Sequence, residues 1–165
     1  MRIKYEKYIA FVVLLIGAIG YCFLYYLPNR ELIEEYAIVS RVIDGDTIIL
    51  ADGGTVRYIG INAPESVHPD LPVQCFGKQA SDENKKLVQG KKVRLLKDIS
   101  DKDKYGRLLR YVFVDDIHIN EYLVKNGYAR ANTYLPDVKY QNQLKQAQAQ
   151  AKKDKLGLWA DEACK

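Results

Sequence analysis

Residues 37–61 read AIVSRVIDGDTIILADGGTVRYIGI, and the fold follows from how this stretch is parsed. Ala37 to Ile43 and Thr47 to Leu50 are strand-like and flank Asp44-Gly45, a dipeptide suited to a tight hairpin turn. A second turn, Asp52-Gly53-Gly54, leads into Thr55 to Ile61. The three runs form a meander. Lys92 to Leu96 and Leu108 to Val114 supply two more strands. Helical spacing appears from about Gly77 to Val88, with Ala80, Leu87 and Val88 as its apolar positions and Gly90 as its stop. Asn120 to Lys125 reads as a short helix ended by Asn126-Gly127. Val138 to Lys155 reads as a longer one, with Tyr140, Leu144, Ala147 and Ala151 on one face and Gly157 as its stop. Five strands with helices inserted and appended predict an α+β domain, an OB-like five-stranded barrel with about three α-helices.

The chain has 165 residues, a net charge of +4 and an isoelectric point near 8.8. It holds one globular domain with something attached, and no internal repeat. The basic excess fits a polyanionic partner and fits a lysine-rich solvated surface equally well. The attached part is the N-terminus. Tyr8 to Leu27 carries no charge over twenty residues, which as a helix would span roughly 30 Å, the thickness of a bilayer core. Tyr21, Tyr25 and Tyr26 cluster at its far end, Arg2, Lys4 and Lys7 precede it, and Glu31, Glu34 and Glu35 follow it. This pattern predicts residues 1–7 in the cytoplasm, a single transmembrane anchor over 8–27, a polar linker over 28–36 and the domain, 37–165, outside the cell. A cleaved, secreted form is the alternative, but no small-residue cleavage site precedes Pro28.

Of the three cysteines, Cys22 lies in the uncharged run, and Cys75 and Cys164 lie in the domain. In an oxidising space the last two can pair, and two buried free thiols are the alternative. No CxxC is present, and His68 and His118 lack ligand spacing, so a cysteine or histidine metal site is not expected.

Four pieces of the domain could carry chemistry. Asp46 opens a strand, where aspartate is depleted; it serves either a turn hydrogen bond or a hard metal ion. Arg57 and Glu65 bracket RYIGINAPE, which would bring both to one barrel face; alone, each could equally be a solvated charge. In DKYGR, Asp103 to Arg107, the arginine could meet a phosphate with Tyr105 as a stacking partner, or the segment is a charged hairpin. Tyr134, in a polar loop before Pro136, could stack on a base or cover the core.

Taken together, VIDGDT, VRYIGINAPE, the His68-Pro69 pair, FGKQAS, DKYGR, INEYLVKNGYA and QAQAKKDKLGLW resemble the staphylococcal nuclease family, in order and spacing, over about residues 38–160. The resemblance implies a Ca²⁺-dependent phosphodiesterase acting on DNA and RNA and leaving 3′-phosphate ends. It assigns catalysis to Arg57, Glu65 and Arg107, and calcium binding to Asp46, Asn62 and, through its carbonyl, Ala63. It places Lys104, Tyr105 and Tyr134 at the nucleotide. Two departures stand out. Asn62 replaces a carboxylate of the family, and Asn132 replaces a pocket tyrosine. An amide oxygen can still face Ca²⁺, with one negative charge fewer and a weaker hold. The expected protein is therefore an outward-facing, membrane-anchored nuclease with nucleic acid and the bilayer as partners and no obligate protein partner. The competing reading is a non-catalytic binding module on the same fold, whose signature would be loss of an arginine or of Glu65.

Overall fold

The structure, a computed structural model, describes residues 8, 12–22, 34–66 and 73–164. The chain divides into two units, Met1–Glu31 and Leu32–Lys165. In the first, residues 12–22 are helical and exposed. Among the described residues no helix is long and apolar enough to cross a membrane. The remainder of the expected span, residues 9–11 and 23–27, lies outside the described residues, as do His68, Pro69 and Pro72.

The second unit is a closed barrel. β1 (Glu34–Asp44) lies between β2 (Thr47–Leu50) and β5 (Lys92–Leu96), antiparallel to both. β3 (Thr55–Tyr58) follows β2, and β6 (Leu108–Val114) follows β5, both antiparallel. A parallel pairing of β3 with β6 joins the two edges. β1 can serve two partners because its register with β2 shifts between Val39 and Arg41 and again between Val42 and Asp44. Such irregularities bend a strand and raise its twist, which closing a small barrel requires. Short strands β4 (Ile61–Asn62) and β8 (Arg130–Ala131) pair with each other, and β7 (Ile117–His118) extends β6.

Three helices cover the barrel: α1 (Gly77–Val88), α2 (Ile119–Lys125) and α3 (Gln141–Lys153). α3 buries Leu144, Ala147 and Ala151, the stripe its spacing predicts. Leu144 and Ala147 join Val39, Ile48, Val56, Val93, Leu95, Val112 and Leu123 in one core. Burying apolar area at roughly 25 cal/mol per Å² is what holds such a small barrel together.

The strands and helices expected of the domain are present, with shifted edges. β1 starts at Glu34, not Ala37, because Glu34, Glu35 and Tyr36 pair with Leu96, Leu95 and Arg94. The end of the expected linker therefore belongs to the barrel. β3 stops at Tyr58, where Gly60 (φ 78°) turns the chain into β4. In α1 the inner face is Ala80, Asn84 and Val88, with Leu87 only half-buried. Asn84 is inside because it is satisfied: its Nδ2 donates to the Asp44 carbonyl at 3.0 Å, and its Oδ1 accepts from the Tyr58 hydroxyl at 3.0 Å. That amide ties α1 to the first hairpin.

Candidate active site

The hairpin between β1 and β2 sets the site's floor. Asp46 is buried and its two carboxylate oxygens are divided. Oδ1 accepts from the Thr47 hydroxyl at 3.2 Å; Oδ2 accepts from the Ala63 amide at 2.6 Å and meets Arg57 Nη2 at 3.0 Å. Gly45, between the two aspartates, has no room for a side chain. A Cβ there would lie 2.5 Å from the Ala63 Cβ and 2.9 Å from the Ala80 Cβ. The close approach lets the Asn62-Ala63 turn sit directly on the hairpin.

Arg57 is delivered by strand register. It pairs with Thr47 on β2, one residue past Asp46, and with Leu109 on β6. Its Nη2 also donates to Asn62 Oδ1 at 3.1 Å, and Nη1 to the Tyr58 carbonyl at 3.1 Å. Arg107 precedes Leu109 by two residues, so the two-residue period of a strand puts it on the same face as Arg57. Asp103 holds it there, with Oδ2 2.7 Å from Nε and Oδ1 accepting from the Arg107 amide at 3.0 Å. Burial works against the ionised Asp103, but Arg107 and the local amides outweigh it and lower its pKa. Arg107 and Lys104 both approach the Tyr105 ring, at 5.4 and 4.9 Å from its centroid.

These groups line one cleft of about 480 Å³, with Arg57, Lys104, Tyr105, Arg107 and Tyr134 on its walls. Asp46, Asn62, Ala63 and Glu65 are not among the residues lining it; Arg57 links it to the first two. Glu65 lies three residues past Asn62, with its backbone fixed by Gln74. At the position of the absent tyrosine, Asn132 donates through Nδ2 to the Tyr134 hydroxyl at 3.2 Å. Cys75 and Cys164 are bonded, and Cys22 is a free, exposed thiol.

Burial pushes the Asp46 carboxyl up to about 7, against the pull of Arg57, and the neighbouring Asp44 raises it further. A carboxylate so desolvated, held by one guanidinium, favours additional positive charge. The donors around it are all oxygens, from Asp46, the Asn62 amide and nearby Asp44. That chemistry suits a hard divalent cation and not zinc or copper. Among the described residues no group of three or more His, Cys, Asp or Glu is placed to hold a metal ion.

Sequence reasoning passed over two contributors. Asp44 holds the turn its Asp-Gly pair predicts, its Oδ1 accepting from the Asp46 amide at 2.9 Å, and what the sequence does not show is its burial beside Asp46. Gln74 had no signal at all in sequence.

The family model described as staphylococcal nuclease homologue matches residues 55–161. The chain is 48% identical over 131 residues to a thermonuclease of Staphylococcus hyicus, covering 78% of each protein. It is 48% identical over 129 residues to the thermonuclease of Staphylococcus intermedius, covering 76% of each. It is 45% identical over 127 residues to endonuclease YncB of Bacillus subtilis, covering 74% of this chain and 60% of that one. With its barrel, its paired arginines and this extent of likeness, the chain belongs to the staphylococcal nuclease homologue family.

Proposed function

We propose that this nuclease is a Ca²⁺-dependent phosphodiesterase that cuts DNA and RNA to 3′-phosphate and 5′-hydroxyl ends. One observation carries the reading: Arg57 and Arg107 line one cleft with Tyr105 and Tyr134, and Arg57 is joined to Asp46 and Asn62. A phosphodiester's negative charge repels an incoming nucleophile. Two guanidinium forks on the phosphoryl oxygens offset that charge, and more strongly as it builds in the transition state. Glu65 takes the proton of a water that attacks phosphorus, and the bond to the 5′-oxygen breaks. Tyr105 and Tyr134, both well exposed, offer ring faces to bases, and Lys104 adds charge for the backbone. Asp46, Asn62 and the Ala63 carbonyl would hold Ca²⁺, which when bound neutralises and orients the phosphate.

The same reading extends to location. The uncharged run 8–27, with exposed Leu14 and Ile16 inside it, supports a membrane tether with the nuclease on the outer face. Carbonate extraction of membranes and protease accessibility of intact cells test that part.

For the activity, the full chain is assayed on single- and double-stranded DNA and on RNA with Ca²⁺, with Mg²⁺ and with a chelator. Calcium-dependent cleavage is expected, falling by about 10³-fold or more in Glu65→Gln with thermal stability retained. Near-normal turnover in Glu65→Gln would remove Glu65 from the mechanism. Nucleic-acid binding without cleavage in the unmutated chain would favour the non-catalytic module.

A further inference from the structure

The proposed base does not sit on the barrel. Arg57 and Arg107 are carried at β3 and beside β6, but Glu65 lies past β4 in irregular chain. A general base must be held within hydrogen-bond reach of its water, so something must fix this segment. The residues 74–77 meet it from the other side. The Glu65 amide donates to Gln74 Oε1 at 3.1 Å, and the Gln74 amide donates to the Glu65 carbonyl at 2.9 Å. One residue therefore takes both backbone groups of Glu65.

The segment that does this is itself restrained at each position. Cys75 is bonded to Cys164, 89 residues away, which joins it to the C-terminal end of the domain. Phe76 adopts φ 69°, a left-handed conformation uncommon for an aromatic residue, with its ring 5.7 Å from that of Tyr128. Residues in such conformations persist only where their surroundings enforce them. Gly77 starts α1 against the Glu65 carbonyl, so close that a Cβ would be 2.4 Å from that oxygen. Its amide donates back to the Gln74 carbonyl at 2.9 Å.

We propose that Gln74 is a positioning residue for Glu65, and that the Cys75–Cys164 bond locks the segment that presents it. The inference rests on Glu65 being the base. Because the phosphate clamps stand on separate elements, loosening residues 74–77 misplaces the base and leaves substrate binding alone. A chain with free thiols is then a slower nuclease of unchanged affinity, and full turnover belongs to an oxidising space. Gln74→Glu keeps an acceptor oxygen at the Glu65 amide; Gln74→Ala does not.

The test compares the full chain with Gln74→Ala, Gln74→Glu and Cys164→Ser, each in Ca²⁺, with and without dithiothreitol. Gln74→Ala is expected to lower kcat about tenfold or more with KM within about twofold, and Gln74→Glu to recover most of it. Cys164→Ser and the reduced wild type should show the same kcat loss as each other, and dithiothreitol should not slow Cys164→Ser further. Amide exchange at Glu65 is read in parallel and should quicken about tenfold or more in Gln74→Ala. Parallel losses in kcat and KM, no rescue by Gln74→Glu, or an unchanged Glu65 amide would overturn the inference. An inactive wild type would refute the nuclease mechanism instead, and the Glu65 amide would still decide whether Gln74 holds it.

Discussion

Replacing Gly77 by alanine should separate activity from stability. Gly77 is the first residue of α1 and its φ is not in the left-handed region, so the backbone itself accepts alanine. Alanine is the better helix former, by up to about 1 kcal/mol in a helix interior and less at an end. The new methyl, however, would lie 2.4 Å from the Glu65 oxygen, 2.9 Å from its carbonyl carbon and 3.2 Å from the Ser66 Cα. All three are backbone atoms, and none can swing aside by a rotamer change. Ordinary contact begins near 3.4 Å, so the Glu65 backbone must retreat by about 1 Å. A misplacement of about 1 Å in a catalytic group can cost about 10²-fold. The expected result is a kcat lowered about 100-fold, a KM within about twofold, and a melting temperature within a few degrees of wild type. Steady-state cleavage of a short fluorogenic oligonucleotide, beside a thermal melt, measures all three. A Gly77→Ala enzyme with full kcat would show that the Glu65 backbone is not held against α1, or that Glu65 is not the base.

Other expectations follow from the same geometry. Arg107→Lys keeps the charge and loses the fork, so kcat should fall by about 10- to 100-fold at nearly constant fold stability; unchanged kcat would mean Arg107 makes no paired contact with the phosphate. Asn62→Asp restores a carboxylate beside Asp46 and should tighten Ca²⁺ binding about tenfold by calorimetry, whereas an unchanged Kd would exclude residue 62 as a ligand. His118 is buried against Tyr111, Phe113 and Tyr140, with neither ring nitrogen hydrogen-bonded, and burial together with Arg94 pushes its pKa down to about 4. The unfolded chain therefore binds the extra proton first. Its contribution to stability is complete above about pH 6.5 and fades toward pH 4, by at most about 3 kcal/mol. Chemical denaturation across that range should show a shallower acid loss in His118→Phe, and an identical slope would remove His118 as a source of it.

The barrel was legible because its signals are local. Asp44-Gly45 and Asp52-Gly53-Gly54 mark two turns, and the stripe Leu144, Ala147, Ala151 marks a helix face, each within a few residues. The edges were less legible because pairing decides them. Glu34 and Glu35 read as linker, yet Glu34 joins Arg94 at 2.8 Å and Glu35 joins the buried Arg110 at 3.3 Å, across 60 and 75 residues of sequence. Asn84 carries no signal in sequence, because its partners, Asp44 and Tyr58, lie 40 and 26 residues away.

The site divides along the same line. Arg57 sits on β3 and Arg107 just before β6, two strands the sequence pattern already marks. Glu65 is different, since its placement depends on a segment nine residues later that folds back on it. Taken singly, Gln74 is a polar loop residue, Cys75 one half of a possible bond, and Gly77 a helix start. Their common target appears only when the loop is closed. The question posed by Asn62 has a similar answer. In this chain it is the oxygen that shares Arg57 Nη2 with Asp46, at 3.1 and 3.0 Å. A carboxylate there would bind that guanidinium more tightly and hold it at the floor. A neutral amide holds Arg57 less strongly than a carboxylate would. On the proposed Ca²⁺ reading, Asn62→Asp should raise the KM for substrate in the same preparation in which it tightens Ca²⁺.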